Sequence, residues 1–110
     1  MAETFKNASN DNVSSVSAET LYTAPASTTG IVLGVAVANK SANTVAATLT
    51  FLDDSAGTST QMLPAVQIPG NTTLEILAGQ KYILEAGDSI TALADTANSI
   101  DITMGVLELS

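Results

Sequence analysis

The chain contains no cysteine, no histidine and no arginine, and aromatic residues make up only 4% of its 110 residues. Without cysteine there are no disulfides, no thiolate nucleophiles and no thiolate metal sites. Without histidine or cysteine, no Ser–His or Cys–His pair can activate a nucleophile. We therefore expect that the protein is not an enzyme.

Positive charge is scarce as well. Lys6, Lys40 and Lys81 are the only basic residues, and with 11 acidic residues the net charge is −8. Phosphate backbones and anionic membrane surfaces both attract clustered Lys and Arg, so we expect no nucleic acid and no membrane among the partners. No apolar run approaches the roughly 20 residues of a membrane-spanning helix. The first ten residues lack the basic and apolar regions of a signal peptide, and we expect synthesis in a cytosol.

The apolar residues are mostly small. They form 45% of the chain, but many are alanines, and small side chains bury little area at roughly 25 cal/mol per Å². A monomer built this way should be only modestly stable. We therefore expect subunit contacts to supplement the core and predict a homo-oligomer.

The most informative stretch runs from Ile31 to Leu52 and is interpreted as a hairpin with a polar turn at Asn39–Asn43. Alternate residues of a strand point to opposite faces. The first strand separates into a bulky set, Ile31, Leu33, Val35 and Val37, and a mainly small set, Val32, Gly34, Ala36 and Ala38. The bulky set is predicted to face the core. Small residues let another backbone approach closely, so Gly34, Ala36 and Ala38 are predicted to contact another protein.

The other segments also alternate. The return strand places Val45, Ala47, Leu49 and Phe51 opposite Ala46, Thr48 and Thr50, and the last strand places Ile100, Ile102, Met104 and Val106 opposite Leu107 and Leu109, with a predicted bulge at Gly105. Turns are predicted at 53–58, 69–71, 79–80, 86–88 and 95–99, and 86–88 is interpreted as a hairpin turn. The pattern predicts an all-β fold, a single antiparallel β-sandwich of about eight short strands. Ig-like and jelly-roll topologies both remain open.

The N-terminal segment, residues 1–17, is polar and rich in Asn and Ser. It is interpreted either as a flexible tail or as an extended arm that orders on a neighbouring subunit through Phe5 and Val13. The predicted organisation is an arm over 1–17 and a β-sandwich domain over 18–110.

Candidate chemistry is sparse. Asp53-Asp54 is the only adjacent acidic pair, and a hydrolytic role for it is a distant hypothesis. Oxygen ligands for Ca²⁺ could come from the turns that hold Asp53, Asp54 and Ser55 or Asp95, Asn98 and Asp101, but neither has EF-hand spacing. A Thr-rich sheet face could bind carbohydrate, yet Tyr22 and Tyr82 are the only phenols available as platforms. No catalytic residue, cofactor or metal is predicted.

From about Ala18 onward the chain has a distinctive order of features: Tyr-Thr-Ala-Pro (22–25), a strand ending in Val-Ala-Asn (37–39), Ile-Pro-x-Asn (68–71), Leu-Glu-Ala-Gly-Asp-Ser (84–89) and a strand ending in Val-Leu-Glu-Leu (106–109). This order resembles that of small structural proteins of tailed bacteriophages. It implies a β-sandwich without enzymatic activity, made in a bacterial host and located in the virion. The implied partners are other virion proteins of the capsid, neck or tail.

The function expected from these observations is a head decoration or cement subunit that binds through sheet and arm contacts. The predicted contact residues are Phe5, Val13, Gly34, Ala36 and Ala38. A neck, collar or tail-fibre-attachment protein is the alternative within the same class. A carbohydrate- or calcium-binding adhesion module is the alternative from another class.

Overall fold

The computed structural model describes residues 2–77 and 81–110. Within these ranges the chain forms β-strands and no helix, which confirms the all-β prediction. The strands are β1 (Glu3–Asn10), β2 (Glu19–Thr23), β3 (Thr29–Asn39), β4 (Val45–Asp53), β5 (Thr58–Ile68), β6 (Thr72–Glu75), β7 (Tyr82–Leu84), β8 (Ser89–Ala94) and β9 (Ile100–Leu109). The turn predicted at residues 79–80 lies outside the described residues.

These strands form two antiparallel sheets. One, the five-stranded sheet, has the order β1-β9-β3-β6, with β7 also paired to β3, and the other, the four-stranded sheet, has the order β2-β8-β4-β5. The pairs are nested, because β1 pairs with β9, β2 with β8, β3 with β6 and β7, and β4 with β5. A nested set of pairs divided between two facing sheets is a jelly roll. Of the two topologies that the sequence left open, the jelly roll is therefore the one that forms.

The core lies between the sheets and consists of aliphatic side chains from both. Its largest fully buried members are Leu49, Ile68, Leu84, Ile90, Ile100, Ile102, Val13, Val32, Val35, Val37, Val45 and Val106. The alternation predicted for β4 is confirmed, since Val45, Ala47 and Leu49 are buried while Ala46 and Thr48 between them are partly exposed. The inward face predicted for β9, from Ile100 to Val106, is confirmed as well.

The prediction for β3 is wrong in its first half. Val32 is fully buried, whereas Leu33 is 40% exposed. The pairing with β9 shifts between Val32 and Gly34, so that Leu33 is an extra residue with no partner. Such a bulge reverses the alternation, and the inward residues of β3 are therefore Val32 before it and Val35 and Val37 after it. A bulge was predicted at Gly105 in β9. The bulge lies instead at Leu33 in β3, next to Gly34, which pairs with Gly105.

The predicted hairpin of β3 and β4 is also wrong, because the two strands lie in different sheets. The same correction applies to the turn at 86–88, which joins β7 of one sheet to β8 of the other. Asn39, at the end of β3, is 2% exposed, and its amide donates to the carbonyls of Asn43 and Ile68, both at 2.8 Å. Its Oδ1 accepts hydrogen bonds from Ser41. In a hairpin, backbone hydrogen bonds would join β3 to β4. Here the side chain of Asn39 makes the hydrogen bonds of the turn, and the chain arches across the core to the other sheet.

The N-terminal segment is hydrogen-bonded to its own chain. Residues 3–10 pair with β9 over eight positions, from Glu3 opposite Leu109 to Asn10 opposite Ile102. After β1 the chain crosses to the other sheet, and the Val13 N–H donates to the Ile100 carbonyl at 2.9 Å. Val13 is only 1% exposed. The described residues thus form nine strands, where about eight were predicted, because β1 adds an edge strand to the predicted set.

Candidate interaction surface

An apolar row crosses the outer face of the five-stranded sheet. Phe5 lies opposite Leu107, Leu107 opposite Ile31, and Ile31 opposite Ile83. Directly opposed residues share a face and lie within about 5.5 Å of each other, so the four side chains are neighbours. Phe5 is 76% exposed and Ile83 is 62% exposed, and the two residues between them are partly exposed. We call these four residues the apolar row.

Next to the apolar row the same face has a depression. Gly34 lies opposite Gly105, and Gly105 lies opposite Asn7 on β1, so two adjacent positions have no side chain. The depression has a volume of about 650 Å³ and is lined by Asn7, Ala8, Ser9, Leu33, Gly34, Ala36, Glu75, Thr103, Met104 and Gly105. A Cβ atom at Gly34 would lie 3.9 Å from Oε2 of Glu75, an ordinary contact. The space above this glycine is therefore open to a partner.

Glu75 is the acidic residue in the lining of the depression. Its Oε1 accepts hydrogen bonds from the N–H groups of Val35 and Leu77, both at 3.2 Å. The carboxylate thereby occupies the stretch of β3 between the segments that pair with β6 and β7. One wall of the depression is therefore negatively charged, while its floor consists of backbone and small side chains.

The predicted contact residues divide into three groups. Gly34, Ala36 and Ala38 are partly exposed on the outward side of β3, and the first two line the depression. Phe5 lies on the same sheet face, at the end of the apolar row. Val13 is buried in the core of its own chain and does not share this surface.

Two residues of the apolar row were not predicted as contact residues. Ile31 was assigned to the core because the bulge at Leu33 was not foreseen, and Ile83 was not singled out. The sequence did indicate the position of Leu107. It lies at an alternate position to the buried residues of β9, and the structure places it on the outer face.

A polar network centred on the buried Glu108 ties the sheets together below this surface. The Tyr22 hydroxyl of β2 donates to Oε2 of Glu108 at 2.5 Å, and Nζ of Lys6 lies 3.3 Å from Oε1 of the same carboxylate. Tyr22 passes over Gly30, where a Cβ atom would lie 3.0 Å from the ring. Glu108 is only 7% exposed, so an unpaired carboxylate here would be costly.

The network shifts the pKa values of Glu108 and Tyr22 further from the neutral pH range. The hydrogen bond from Tyr22, and secondarily Lys6, holds the pKa of Glu108 below its ordinary value of 4.5. Burial, and secondarily Glu108, raises the pKa of Tyr22 well above its ordinary value of 10.0. A general acid or base works best with a pKa near the operating pH. The Tyr22–Glu108 pair is therefore suited to structure and not to proton transfer.

The acidic turns are occupied by local hydrogen bonds. Asp53 accepts from the Ser55 hydroxyl and the Ala56 N–H. Asp101 accepts from the Asn12 N–H and lies 3.0 Å from Nζ of Lys40, and these contacts lower its pKa. Across residues 2–77 and 81–110, no group of three or more acidic side chains is arranged to hold a metal ion.

The outer face of the four-stranded sheet has a different chemistry. Thr20, Thr91, Thr50 and Gln61 lie directly opposite one another across β2, β8, β4 and β5. We call these four residues the threonine row. The aromatic platforms expected of a sugar site are not on this face, because the Tyr22 hydroxyl points to Glu108 and Tyr82 packs against the core.

No protein-family description matches the chain, and no curated protein matches it. Similarity of fold is found among solved structures. A chain of the cyanophage Pam1 capsid asymmetric unit has a similar fold. The alignment has a TM-score of 0.53 and 18% identity, and it covers 96% of this chain and 84% of that one. At this identity the likeness establishes a shared fold, and a shared fold does not by itself establish a shared function. Within the described residues, no helix is long and apolar enough to cross a membrane.

Proposed function

We propose that the protein is a non-enzymatic structural component of a phage virion, and that within the virion it is a head decoration subunit. The observation that carries the proposal is the similarity of fold with a chain of a phage capsid asymmetric unit, which extends over 96% of this chain. The order of turn and strand-end motifs from Tyr22 to Leu109 supports the same class. Both point to an assembled particle and not to a soluble enzyme.

The surface of the molecule supports a binding role. The five-stranded sheet exposes the apolar row and, beside it, a depression floored by Gly34 and Gly105. Exposed contiguous apolar groups mark sites of protein contact in soluble proteins. A protruding loop or side chain of a capsid subunit would fill the depression while apolar side chains cover the row. The contact residues in this proposal are Phe5, Gly34 and Ala36, together with Ala38 further along β3.

The net charge of −8 supports a subunit that is added to a particle from solution. Like-charged free copies repel one another and remain soluble before assembly. The apolar row itself carries no charge, so a partner can cover it without burying an unpaired carboxylate. The apolar row is thus free of charge, while the wall of the depression beside it carries Glu75.

Location on the particle is the direct test. Particles of the phage whose genome encodes this chain are purified and labelled with gold-conjugated antibody against the chain. Label over the head supports a decoration subunit, and label at the neck or tail supports the alternative virion position. Particles that carry no copy of the chain would overturn the proposal. Purified chain added back to particles stripped of it should restore the label.

A further inference from the structure

The strands at the sheet edges differ in how they are protected. Proteins usually blunt an exposed edge with short strands, proline or bulges, because unpaired backbone groups recruit other strands. β6 and β7 have four and three residues, and β2 has five with a register shift. β5 contains Pro64 and then Ala65 with φ of 45°, again with register shifts. The eight residues of β1 contain no proline, no glycine and no register shift.

The hydrogen bonds of β1 show which of its backbone groups are free. Ala2 and Ser110 exchange both N–H···O bonds, at 2.8 and 2.9 Å. In an antiparallel ladder such pairs alternate with pairs whose N–H and C=O groups point to the other side. The backbone groups of Glu3, Phe5, Asn7 and Ser9 therefore point away from β9. They form a regular row of donors and acceptors along the edge.

The side chains of this edge fit self-association. Phe5, the second of the four residues with free backbone groups, is 76% exposed and ends the apolar row at this side of the sheet. The segment 2–10 contains one acidic residue, Glu3, and one basic residue, Lys6, so it is neutral in a chain of net charge −8. Two copies can meet here without bringing acidic groups together.

We propose that two copies of the chain pair through β1, antiparallel, about a two-fold axis that passes beside Phe5. Phe5 then lies opposite Phe5 of the second copy, Glu3 opposite Asn7, and Thr4 opposite Lys6. A two-fold axis at Lys6 would place two lysines together, and one at Asn7 would place Glu3 opposite Asp11. Of these three positions, an axis at Phe5 gives the register that pairs residues 2–8 without a contact between like charges. This inference goes beyond the proposed function and does not depend on it.

The paired arrangement joins the two five-stranded sheets into one continuous sheet. The apolar row of one copy continues through the two Phe5 rings into the apolar row of the other. Aromatic cross-strand pairs stabilise a sheet by about 0.2–1 kcal/mol each. An interface of one strand pair is smaller than the about 1,200 Å² of stable complexes. The dimer therefore forms in a concentration-dependent way.

Sedimentation of the full chain from micromolar to millimolar concentration tests the pairing. The expected result is a rise from 11.1 kDa towards twice that mass. Asn7→Pro should abolish the rise, because it removes an N–H that points away from β9 and is not needed within the chain. Ile83→Glu is the matched control, since Ile83 lies at the far end of the apolar row. It should leave the dimer unchanged, and circular dichroism verifies that both variants are folded.

Cysteine cross-linking tests the register, because the chain has no cysteine of its own. Phe5→Cys should form a disulfide-linked dimer under mild oxidation, since the two Cα atoms lie about 5.5 Å apart in such a pair. Asn7→Cys is the control, because its two copies would be four residues apart along the strand and should not cross-link. Equal cross-linking of both variants would overturn the register.

Hydrogen exchange on the unmodified chain tests the proposal without any variant. The N–H groups of Glu3, Phe5, Asn7 and Ser9 should become protected as the concentration rises, whereas those of β5 should not change. A chain that stays monomeric at millimolar concentration would overturn the proposal. So would a dimer that Ile83→Glu dissociates as fully as Asn7→Pro, because that result would indicate packing of sheet faces.

Discussion

The outer faces of the two sheets are built on the same jelly roll and yet differ in what they offer a partner. The five-stranded sheet exposes the apolar row and a depression where Gly34 and Gly105 lie side by side. The outer face of the four-stranded sheet holds the threonine row, in which Thr91 is only 9% exposed and the other three residues are partly or largely exposed. Its β-branched threonines are well suited to a solvated sheet. On the function proposed above, the first face serves protein contact, whereas the polar side chains of the second suit contact with water.

The largest expected effect comes from filling the depression. Gly34→Leu should reduce binding to the particle by tenfold or more, about 1.4 kcal/mol, because the new side chain occupies the space proposed for the partner. The fold should tolerate the change, since a Cβ atom there meets Glu75 only at 3.9 Å. Thr50→Leu on the threonine row is the matched control and should bind normally. Co-sedimentation with stripped particles measures both, and equal binding of the two variants would remove the distinction between the faces.

The second prediction compares the contributions of a buried residue and an exposed residue of the N-terminal segment to stability. Val13→Ala should lower the free energy of unfolding by roughly 1–3 kcal/mol, because it leaves a cavity in the core. Phe5→Ala should change it by less than about 0.5 kcal/mol, because the ring is largely exposed. Urea denaturation measures both values. Equal losses would mean that Phe5 stabilises its own chain and is not held ready for a partner.

The third effect is a loss of stability in acid. Because the folded-state pKa of Glu108 lies below 4.5, its contribution is complete above that pH and is lost as the pH falls through the folded-state value. Asp101 has a lowered pKa as well and contributes in the same direction. Thermal melting between neutral and acidic pH should therefore show a falling midpoint. Glu108→Gln should flatten this dependence, and an unchanged slope would argue against the network.

The smallest effect tests whether the outer faces contribute to folding at all. Leu33→Thr on the five-stranded sheet and Thr50→Val on the four-stranded sheet should each change the free energy of unfolding by only about 0.5 kcal/mol, as is usual at partly exposed sites. If Leu33→Thr nevertheless weakens particle binding, the apolar character of that face serves the partner. A large loss of stability from Leu33→Thr would show instead that its face supports the fold.

The face proposed for contact was predicted only in part, and particular residues show why. The alternation of Gly34, Ala36 and Ala38 was sufficient to place them outward. The bulge at Leu33 reverses which residues face inward in the first half of β3. It depends on the pairing with β9, so the sequence of β3 alone does not indicate it. Asn39 was interpreted as part of a hairpin turn, because alternation is the same whether a strand returns to its own sheet or arches to the other.

The sequence by itself determined the strand-rich character of this protein, its acidity and its lack of nucleophile–histidine chemistry, because alternation and side-chain inventory are local properties. Only the tertiary structure decided which residues form a surface together. Phe5, Ile31, Ile83 and Leu107 come from four strands that are distant along the chain, and nested antiparallel pairing alone aligns them in one row. Likewise, the two glycines that open the depression are 71 positions apart and meet only through the register of β3 with β9.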